Sequence, residues 1–169
     1  MKEIITAEDI TIRTTLQPGD IGYVTYLHGD MYSKEYGYGI SFEAYVAQGL
    51  CEFYRQYNPA RDRVWLCEHN STIVGFLLLM NRGGDTAQLR YFILLKPYRG
   101  IGLGKKLLQL LMGYLKAVGY KKCYLWTTNE QETAAALYKR AGFVLTEEKP
   151  SGAFGKPLFE QRYDAVLYK

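Results

Sequence analysis

The chain has 169 residues, of which 48% are hydrophobic and 22% charged, and its formal net charge is +4 at pH 7. These values are typical of one globular domain with a substantial core, so we expect a single domain over residues 1–169. They argue against a disordered chain, and the absence of an apolar run of about 18 residues argues against a membrane span.

The N-terminal segment and the cysteines indicate the cellular compartment of the protein. Residues 1–9 contain three acidic side chains and no apolar stretch, so they do not resemble a secretory signal, and we expect a cytoplasmic protein. Cys51, Cys67 and Cys123 lie far apart and inside apolar segments. We therefore predict three buried structural thiols, rather than disulfides or metal ligands, and no metal site.

The first half of the chain predicts a strand, two helices and three strands in succession. Residues 10–15 are typical of a short strand, and Pro18 suits the first turn of a helix to about Lys34. After a break over 37–41, Ser41 is placed to cap a second helix, which carries an apolar stripe ending before Asn58. Residues 63–68 and 72–80 predict a hairpin, and 86–95 a third long strand.

The second half alternates between helix and strand. A helix is predicted over 102–118 with Gly119 just past its end, followed by a strand over 121–128. Asn129 and Glu132 have the spacing of a capping box for a helix that ends at Gly142. Strands over 143–148 and 160–168 complete the order βααβββαβαββ. The predicted fold class is α/β (α+β), with a mixed, mostly antiparallel sheet of six to seven strands and about four helices.

Charge is unevenly distributed along the chain. Residues 86–129 contain eight Lys or Arg and no Asp or Glu, whereas residues 1–85 contain seven Lys or Arg against eleven Asp or Glu. We therefore expect one positive and one negative region, an arrangement suited to a protein with two substrates. The alternative for several of the lysines is a solvated helix face.

The segment YRGIGLGKKLL at 98–108 has glycine at every second position, flanked by basic residues. It does not fit the dinucleotide fingerprint, whose third glycine falls on Lys105, or the Walker pattern, which requires glycine where Arg99 stands. A strand followed by glycines and a helix start exposes N–H groups that bind anions, and a pyrophosphate fits such a site. The alternative is that the glycines only form a strand-to-helix turn.

The residues RGIGLG at 99–104 resemble the R/Q-x-x-G-x-G/A signature of the GNAT acetyltransferase superfamily. AAALYKRAGF at 134–143 resembles that superfamily's A-x-x-L-Y-x-x-x-G-F helix, and the element order is similar to its fold. LHGDMYSKEYG, FEAYVA, YLWTT and FGK more narrowly resemble the acetyltransferase half of proteins fused to a MarR-type DNA-binding regulator. The 169 residues do not include that regulator half.

The resemblance implies acetyl-coenzyme A (acetyl-CoA) as the co-substrate, with its diphosphate on the backbone of residues 99–104. Either Lys105 or Lys106 is expected to bind the extra ribose phosphate, and the Leu94 N–H to hold the thioester oxygen. Pro97 lies one position closer to the arginine than in the usual pattern, which leaves Ile93 and Leu95 as alternatives to Leu94. The implied coenzyme-binding residues are Phe92, Ile93, Leu94, Arg99, Gly100, Ile101, Gly102, Leu103, Gly104 and Lys105.

Acetyl transfer to an amine requires one group that removes a proton and one that donates a proton to the leaving thiolate. Tyr138 occupies the position of the tyrosine in the family's helix motif, so the resemblance implies that it is the acid. The alternative is an aromatic residue packed between helix and sheet.

No single residue is indicated as the base. The candidates are Glu43, in the first turn of the second helix, and Glu35 and His28 on the first helix. For Glu43 the alternative is stabilisation of the helix dipole. His28, Tyr32 and Glu35 share one face of the first helix and are predicted to receive a cationic amine, unless that face is simply solvated.

The predicted function is transfer of an acetyl group from acetyl-CoA to a primary amine, by direct attack through a tetrahedral intermediate. The acceptor is a small-molecule amine, a protein lysine or a protein N-terminus. Two alternatives stay open: an acyl-CoA sensor without turnover, and a basic surface for nucleic acid, which the glycine placement disfavours. We expect no nucleic-acid or membrane partner, and a homodimer through the last strands or the aromatic N-terminal helices is the alternative to a monomer.

Overall fold

The computed structural model describes residues 1–167, and within them the order of strands and α-helices is the predicted βααβββαβαββ. The strands are β1 (Thr11–Arg13), β2 (Arg63–His69), β3 (Thr72–Asn81), β4 (Thr86–Leu94), β5 (Lys122–Thr128), β6 (Val144–Ser151) and β7 (Leu158–Val166). The helices are α1 (Asp20–Tyr36), α2 (Ile40–Arg55), α3 (Leu103–Val118) and α4 (Glu132–Arg140). Tyr168, the last residue of the predicted final strand, lies outside the described residues.

The seven described strands form one sheet in the order β1-β2-β3-β4-β5-β7-β6. Every neighbouring pair is antiparallel except β4 and β5, which are parallel because α3 connects them as a crossover. The predicted mixed, mostly antiparallel sheet is therefore confirmed.

Beyond their first residues, β4 and β5 separate. Their pairing covers Thr86 to Gln88 on β4 and Lys122 to Tyr124 on β5. In addition, β4 contains a β-bulge, since Arg90 pairs with Leu78 but Ile93 pairs with Phe76, so β4 has one extra residue in that interval. Tyr91 lies in the bulge at φ +58°, a conformation that is uncommon for a tyrosine. A crevice consequently opens in the middle of the sheet.

Helices cover both faces of the sheet and create two hydrophobic clusters. One cluster combines α3 leucines such as Leu107 and Leu111 with Tyr138 of α4 and the facing sheet residues. The other combines α1 and α2, through residues such as Val24 and Val46, with the opposite face of β2 to β4. The predicted apolar stripe of α2 is buried at Phe42, Val46, Leu50 and Phe53, whereas Tyr45 and Tyr54 are exposed.

Two predicted helix caps are wrong. Ser41 lies inside α2, whose N-cap is Gly39, and its hydroxyl donates to the Ala153 carbonyl at 3.0 Å. Asn129 does not cap α4, which begins at Glu132, because the Asn129 side chain accepts a hydrogen bond from the Phe159 N–H at 2.9 Å. In both cases the side chain that the local sequence predicts as a cap forms a hydrogen bond with the main chain of a residue in the C-terminal part of the protein.

The cysteine prediction is correct at two positions of three. Cys67 and Cys123 are buried, and burial raises the pKa of each thiol to about 12. Cys51 is exposed, so its prediction as a buried thiol is wrong; it follows the buried Leu50 on α2 and faces away from the sheet. Within residues 1–167, no helix is long and apolar enough to cross a membrane.

Candidate functional site

The candidate site is a cavity in the crevice between β4 and β5. Side chains from six helices and strands line it, including those of His28 and Tyr32 from α1, Arg90 and Phe92 from β4, Thr127 from β5 and Tyr138 from α4. Clefts at which parallel strands separate are common ligand sites, because the strand ends leave main-chain groups without partners.

The loop before α3 forms one side of the crevice. Gly100 and Gly102 have φ values of +77° and +85°, left-handed conformations that glycine adopts without steric cost. Gly102 is the N-cap of α3, so the N–H groups of Leu103, Gly104 and Lys105 have no carbonyl partner one turn earlier in the helix. The loop therefore presents unpaired N–H groups and the positive end of a helix dipole, as an anion site requires.

Gly104 has a different role from the two glycines before it. It is buried within α3, and a Cβ at this position would lie 3.0 Å from Leu137, 3.4 Å from Leu94 and 3.5 Å from Phe92. The missing side chain therefore lets the start of α3 approach both β4 and α4. The side chains of Ile101 and Leu103 also turn inward, against the core, so only their backbone faces a ligand.

The end of β4 determines which N–H groups face the crevice. The Leu95 N–H donates to the Val74 carbonyl of β3 at 3.0 Å. Because successive N–H groups of an extended strand point to opposite edges, the Leu94 N–H points away from β3 and toward the crevice. The bulge in β4 lies before this segment. The N–H that faces the crevice is therefore that of Leu94, and not that of Ile93 or Leu95, although Pro97 is one position closer to Arg99 than in the usual family pattern.

Arg99 is a predicted coenzyme-binding residue and Glu35 a predicted acceptor-binding residue, and in the structure the two form an ion pair. The Arg99 guanidinium donates to both carboxylate oxygens of Glu35, at 2.7 and 3.0 Å, and its Nε donates to the Leu94 carbonyl at 2.9 Å. The arginine thus connects α1 to the end of β4. Both side chains are half-buried, so water screens the pair only in part.

Tyr138 and Tyr32 lie close together in the interior of the cavity. Tyr138 is 4% exposed, and burial raises the pKa of its phenol, so the group is neutral and able to donate a proton at pH 7. The Tyr138 ring lies 6.1 Å from that of Phe92. The Tyr32 phenol, whose pKa burial also raises, has long contacts of 3.5 Å to the Phe92 carbonyl and to Gln131.

His28 is buried and neutral. Its Nδ1 lies 2.8 Å from the Val24 carbonyl, and because a carbonyl only accepts, Nδ1 carries the proton. Nε2 therefore holds a lone pair, and it is buried without a partner among the described residues. Burial lowers the pKa of the imidazole to about 4. The imidazole ring is stacked on Tyr32 at 5.7 Å and is part of the wall of the cavity.

Glu43 is not among the residues that line the cavity. Its side chain lies against α1, where a Cβ at Gly29 would come within 2.1 Å of its carboxylate. The helix pair α1 and α2 thus holds Glu43 in the gap that Gly29 leaves. The residues described by the structure contain no group of three or more His, Cys, Asp or Glu side chains that could hold a metal ion.

The structure adds residues that the sequence patterns did not indicate. Arg90, Thr127 and Glu160 line the cavity from three different strands. Tyr91 packs under α2, where its hydroxyl would lie 1.6 Å from a Cβ at Gly49. The hydroxyls of Tyr91 and Thr127 are buried without partners in residues 1–167. No local signal identifies these residues, because the bulge and the strand order bring them together.

Comparisons with known proteins agree with this arrangement. The model of the acetyltransferase (GNAT) family matches residues 28–143. The N-acetyltransferase YjgM of Escherichia coli (strain K12) is 34% identical over 115 residues, which cover 66% of this chain and 69% of that protein. The 5-NmdU N-acetyltransferase of Pseudomonas phage PaMx11 is 30% identical over 105 residues, which cover 60% of this chain and 72% of that protein.

Solved structures share the fold at low sequence identity. A GNAT family acetyltransferase from Elizabethkingia anophelis, with acetyl-CoA bound, has a TM-score of 0.64 at 20% identity and covers 95% of this chain and 99% of its own. Spermidine N-acetyltransferase from Vibrio cholerae, in complex with CoA and spermine, has a TM-score of 0.69 at 19% identity and covers 94% and 96%. At these identities the likeness concerns the fold.

Proposed function

The chain belongs to the acetyltransferase (GNAT) family, and on that premise we propose that it transfers an acetyl group from acetyl-CoA to a primary amine. One observation supports the proposal: the start of α3, with its unpaired N–H groups, and the neutral phenol of Tyr138 lie on either side of Phe92. Phe92 connects them, since it lies near Gly104 on one side and beside the Tyr138 ring on the other.

The backbone of residues 99–104 binds the diphosphate of acetyl-CoA in this proposal. The left-handed Gly100 and Gly102 and the unpaired N–H groups at the start of α3 support this role. The exposed Lys105 or Lys106 binds the additional ribose phosphate, and the pantetheine arm lies beside Phe92, Ile93 and Leu94. The coenzyme supplies an activated acetyl thioester.

The amine nitrogen attacks the thioester carbonyl carbon, so a C–N bond forms and the carbonyl oxygen becomes negative in a tetrahedral intermediate. The Leu94 N–H, which points into the crevice, donates a hydrogen bond to that oxygen. The C–S bond then breaks, and the Tyr138 phenol donates its proton to the leaving thiolate. The raised pKa of Tyr138 keeps the phenol protonated until this step.

The amine must lose a proton before or during the attack. Because the pKa of His28 is lowered to about 4, its imidazole does not retain a proton at pH 7. We assign it instead the role of a hydrogen-bond acceptor: Nε2 orients an N–H of the amine, and the proton leaves to water. Glu43 stays a prediction as the base, and its position under Gly29 makes it the weaker candidate.

Several finer predictions remain proposals. They are the specific likeness to the acetyltransferase half of MarR-type fusions, a cytoplasmic location, a homodimer, and the absence of nucleic-acid and membrane partners. Glu35 and Tyr32 stay proposed as acceptor-side residues, although the ion pair with Arg99 occupies the Glu35 carboxylate.

A thiol-release assay tests the proposed function. The purified chain is mixed with acetyl-CoA and a panel of lysine peptides, peptides with free N-termini, polyamines and amino acids, and free CoA thiol is measured. Thiol release that depends on the amine supports an acetyltransferase. Coenzyme binding without release on any amine would favour the sensor alternative, and binding of duplex nucleic acid stronger than that of acetyl-CoA would favour the basic-surface alternative.

A further inference from the structure

Arg90 contributes a positive charge to the cavity, and it forms no ion pair with an acidic side chain of residues 1–167, although Glu160 of β7 lines the same cavity. It is the only Lys or Arg among the described residues that line the cavity. Within residues 1–167, no carboxylate lies within 4 Å of its guanidinium, in contrast to Arg13, Arg99 and Arg162, which all form ion pairs. The nearby Glu52 affects the pKa of Tyr91 but is not within ion-pair distance of Arg90.

Aromatic rings hold the Arg90 guanidinium in place. Its Cζ lies 4.5 Å from the Tyr91 ring centroid and 5.3 Å from that of Tyr45, and it donates to the Tyr45 hydroxyl at 2.9 Å. Its other described polar contact is a long one, 4.0 Å to the Met80 sulfur. A guanidinium has five N–H donors in a fixed plane, and these two contacts engage one donor each, so the other three have no hydrogen-bond partner in residues 1–167.

The charge and shape of this group indicate its ligand. A planar guanidinium forms two parallel hydrogen bonds with a carboxylate or a phosphate. Because the described lining contains one cationic side chain, it matches the single charge of a carboxylate better than the higher charge of a phosphate. The His28 side chain lines the same cavity, and its buried Nε2, which only accepts hydrogen bonds, has no partner in residues 1–167. The cavity therefore offers a site for an anion and a separate site for an N–H group.

The two sites are close enough for one small molecule. The His28 ring lies 5.8 Å from the Tyr91 ring, and the Arg90 Cζ lies 4.5 Å from the same ring. The separation of the His28 ring centroid and the Arg90 Cζ cannot exceed the sum of these two distances. A short amino acid that makes a hydrogen bond at each end reaches both groups over such a separation.

We propose that the acetyl acceptor carries a carboxylate close to its amine, and that Arg90 binds this carboxylate while the amine lies at the His28 and Tyr138 end of the cavity. The inference rests on the proposed acetyltransferase function and names its acceptor class. It narrows the sequence-based expectation of a cationic amine, because the acceptor then carries an acid group as well. Of the acidic residues in that expectation, Glu35 is paired with Arg99 and Glu43 lies outside the cavity.

The experiment compares acceptors that differ only in the acid group. Several α-amino acids, β-alanine and 4-aminobutyrate are each paired with their own carboxamide, and kcat/KM with acetyl-CoA is measured for both members. Binding of the same pairs is measured by calorimetry in the presence of CoA. Arg90→Gln removes the charge, Arg90→Lys retains it without the planar fork, and Arg63→Gln is the matched control, since Arg63 stacks on Tyr114 outside the cavity.

For at least one pair, the wild-type chain should prefer the carboxylate over the carboxamide by about 10-fold to 100-fold. Arg90→Gln should reduce this ratio toward one, Arg90→Lys should reduce it in part, and Arg63→Gln should leave it as in the wild type. A wild-type ratio near one for every pair, or a ratio that Arg90→Gln preserves, would overturn the proposal.

The two readouts separate this proposal from the proposed function. Carboxylate-dependent binding that Arg90→Gln abolishes, with no thiol release, would support the carboxylate site and overturn the acetyltransferase role. Acetylation of polyamines or peptides, with neither binding nor acetylation of any amino acid, would overturn the carboxylate site and support the acetyltransferase role.

Discussion

The two sides of the crevice are constructed differently. On the coenzyme side, the proposed binding groups are main-chain N–H groups in a continuous segment of eleven residues, Leu94 to Gly104, and the side chain of the adjacent Lys105 or Lys106. On the acceptor side they are side chains from α1, β4 and α4, separated by more than a hundred positions between His28 and Tyr138. A site made from backbone depends on local conformation, whereas a site made from side chains depends on how distant elements pack.

This difference determines which substitutions matter. On the coenzyme side, a change is harmful where it alters the backbone, as at a left-handed glycine. On the acceptor side, the loss of one functional group is enough to impair activity, because each group comes from a different element and no neighbouring group can replace it. The following experiments test that contrast, from the largest expected effect to the smallest.

Tyr138→Phe removes one oxygen from the acceptor side. Because the Tyr138 hydroxyl takes part in none of the hydrogen bonds described for residues 1–167, the fold should tolerate the change, while the acetylation rate falls by about 10²-fold or more. Steady-state thiol release and acetyl-CoA binding by calorimetry measure the two quantities. Tyr54→Phe, at an exposed position, is the control, and an unchanged rate in Tyr138→Phe would exclude it as the proton donor.

His28 should make the protein less stable in acid. The unfolded chain binds a proton at this histidine below about pH 6.5, whereas the folded protein does not until about pH 4, so the free energy of unfolding falls as the pH decreases through that interval. The loss should be about 3 kcal/mol. Urea titrations at pH 7 and pH 4 measure it.

The control for this prediction uses the second histidine. His28→Phe keeps a ring in the aromatic cluster but cannot titrate, so it should lose less stability between the two pH values than the wild type does. His69→Phe retains His28 and should show the wild-type dependence on pH. Equal acid losses in all three proteins would contradict the buried, neutral state of His28.

Gly102→Val tests the backbone side. A valine at φ +85° is strained by about 1–2 kcal/mol, and relief of that strain would displace the N–H groups at the start of α3. We expect the affinity for acetyl-CoA to fall by about 10-fold. Gly113→Ala, within α3 and free of neighbours at its Cβ, should keep the affinity and add up to about 1 kcal/mol of stability. Full affinity in Gly102→Val would argue against a backbone-built coenzyme site.

Glu35→Gln tests the connection between the two sides and should have the smallest effect. Its ion pair with Arg99 is partly exposed, so the free energy of unfolding should decrease by less than about 1 kcal/mol. Asp30→Asn, which breaks the exposed pair with Lys34, is the matched control. Chemical denaturation of both variants measures the difference, and a loss several times larger for Glu35→Gln would show that the pair holds α1 in place.

The same contrast explains what the sequence could predict. Hydrophobic periodicity and glycine positions are local signals, and they predicted the order of elements, the helix that starts beside Gly102 and the mixed sheet. The predicted caps at Ser41 and Asn129 are wrong because these side chains form hydrogen bonds with distant main-chain groups, the Ala153 carbonyl and the Phe159 N–H. The bulge at Tyr91 and the unpaired Arg90 left no pattern in the sequence, since both depend on the register of β4 against β3.

The close approach of Gly49 to the Tyr91 hydroxyl has an evolutionary consequence. A methyl group at position 49 and a para-hydroxyl at position 91 would occupy the same space. The two positions should therefore covary among homologous sequences: lineages with alanine or serine at 49 should carry a smaller residue at 91. A smaller residue at position 91 would also remove part of the ring on which Arg90 stacks. Homologues with a larger residue at position 49 should therefore also differ in acceptor preference.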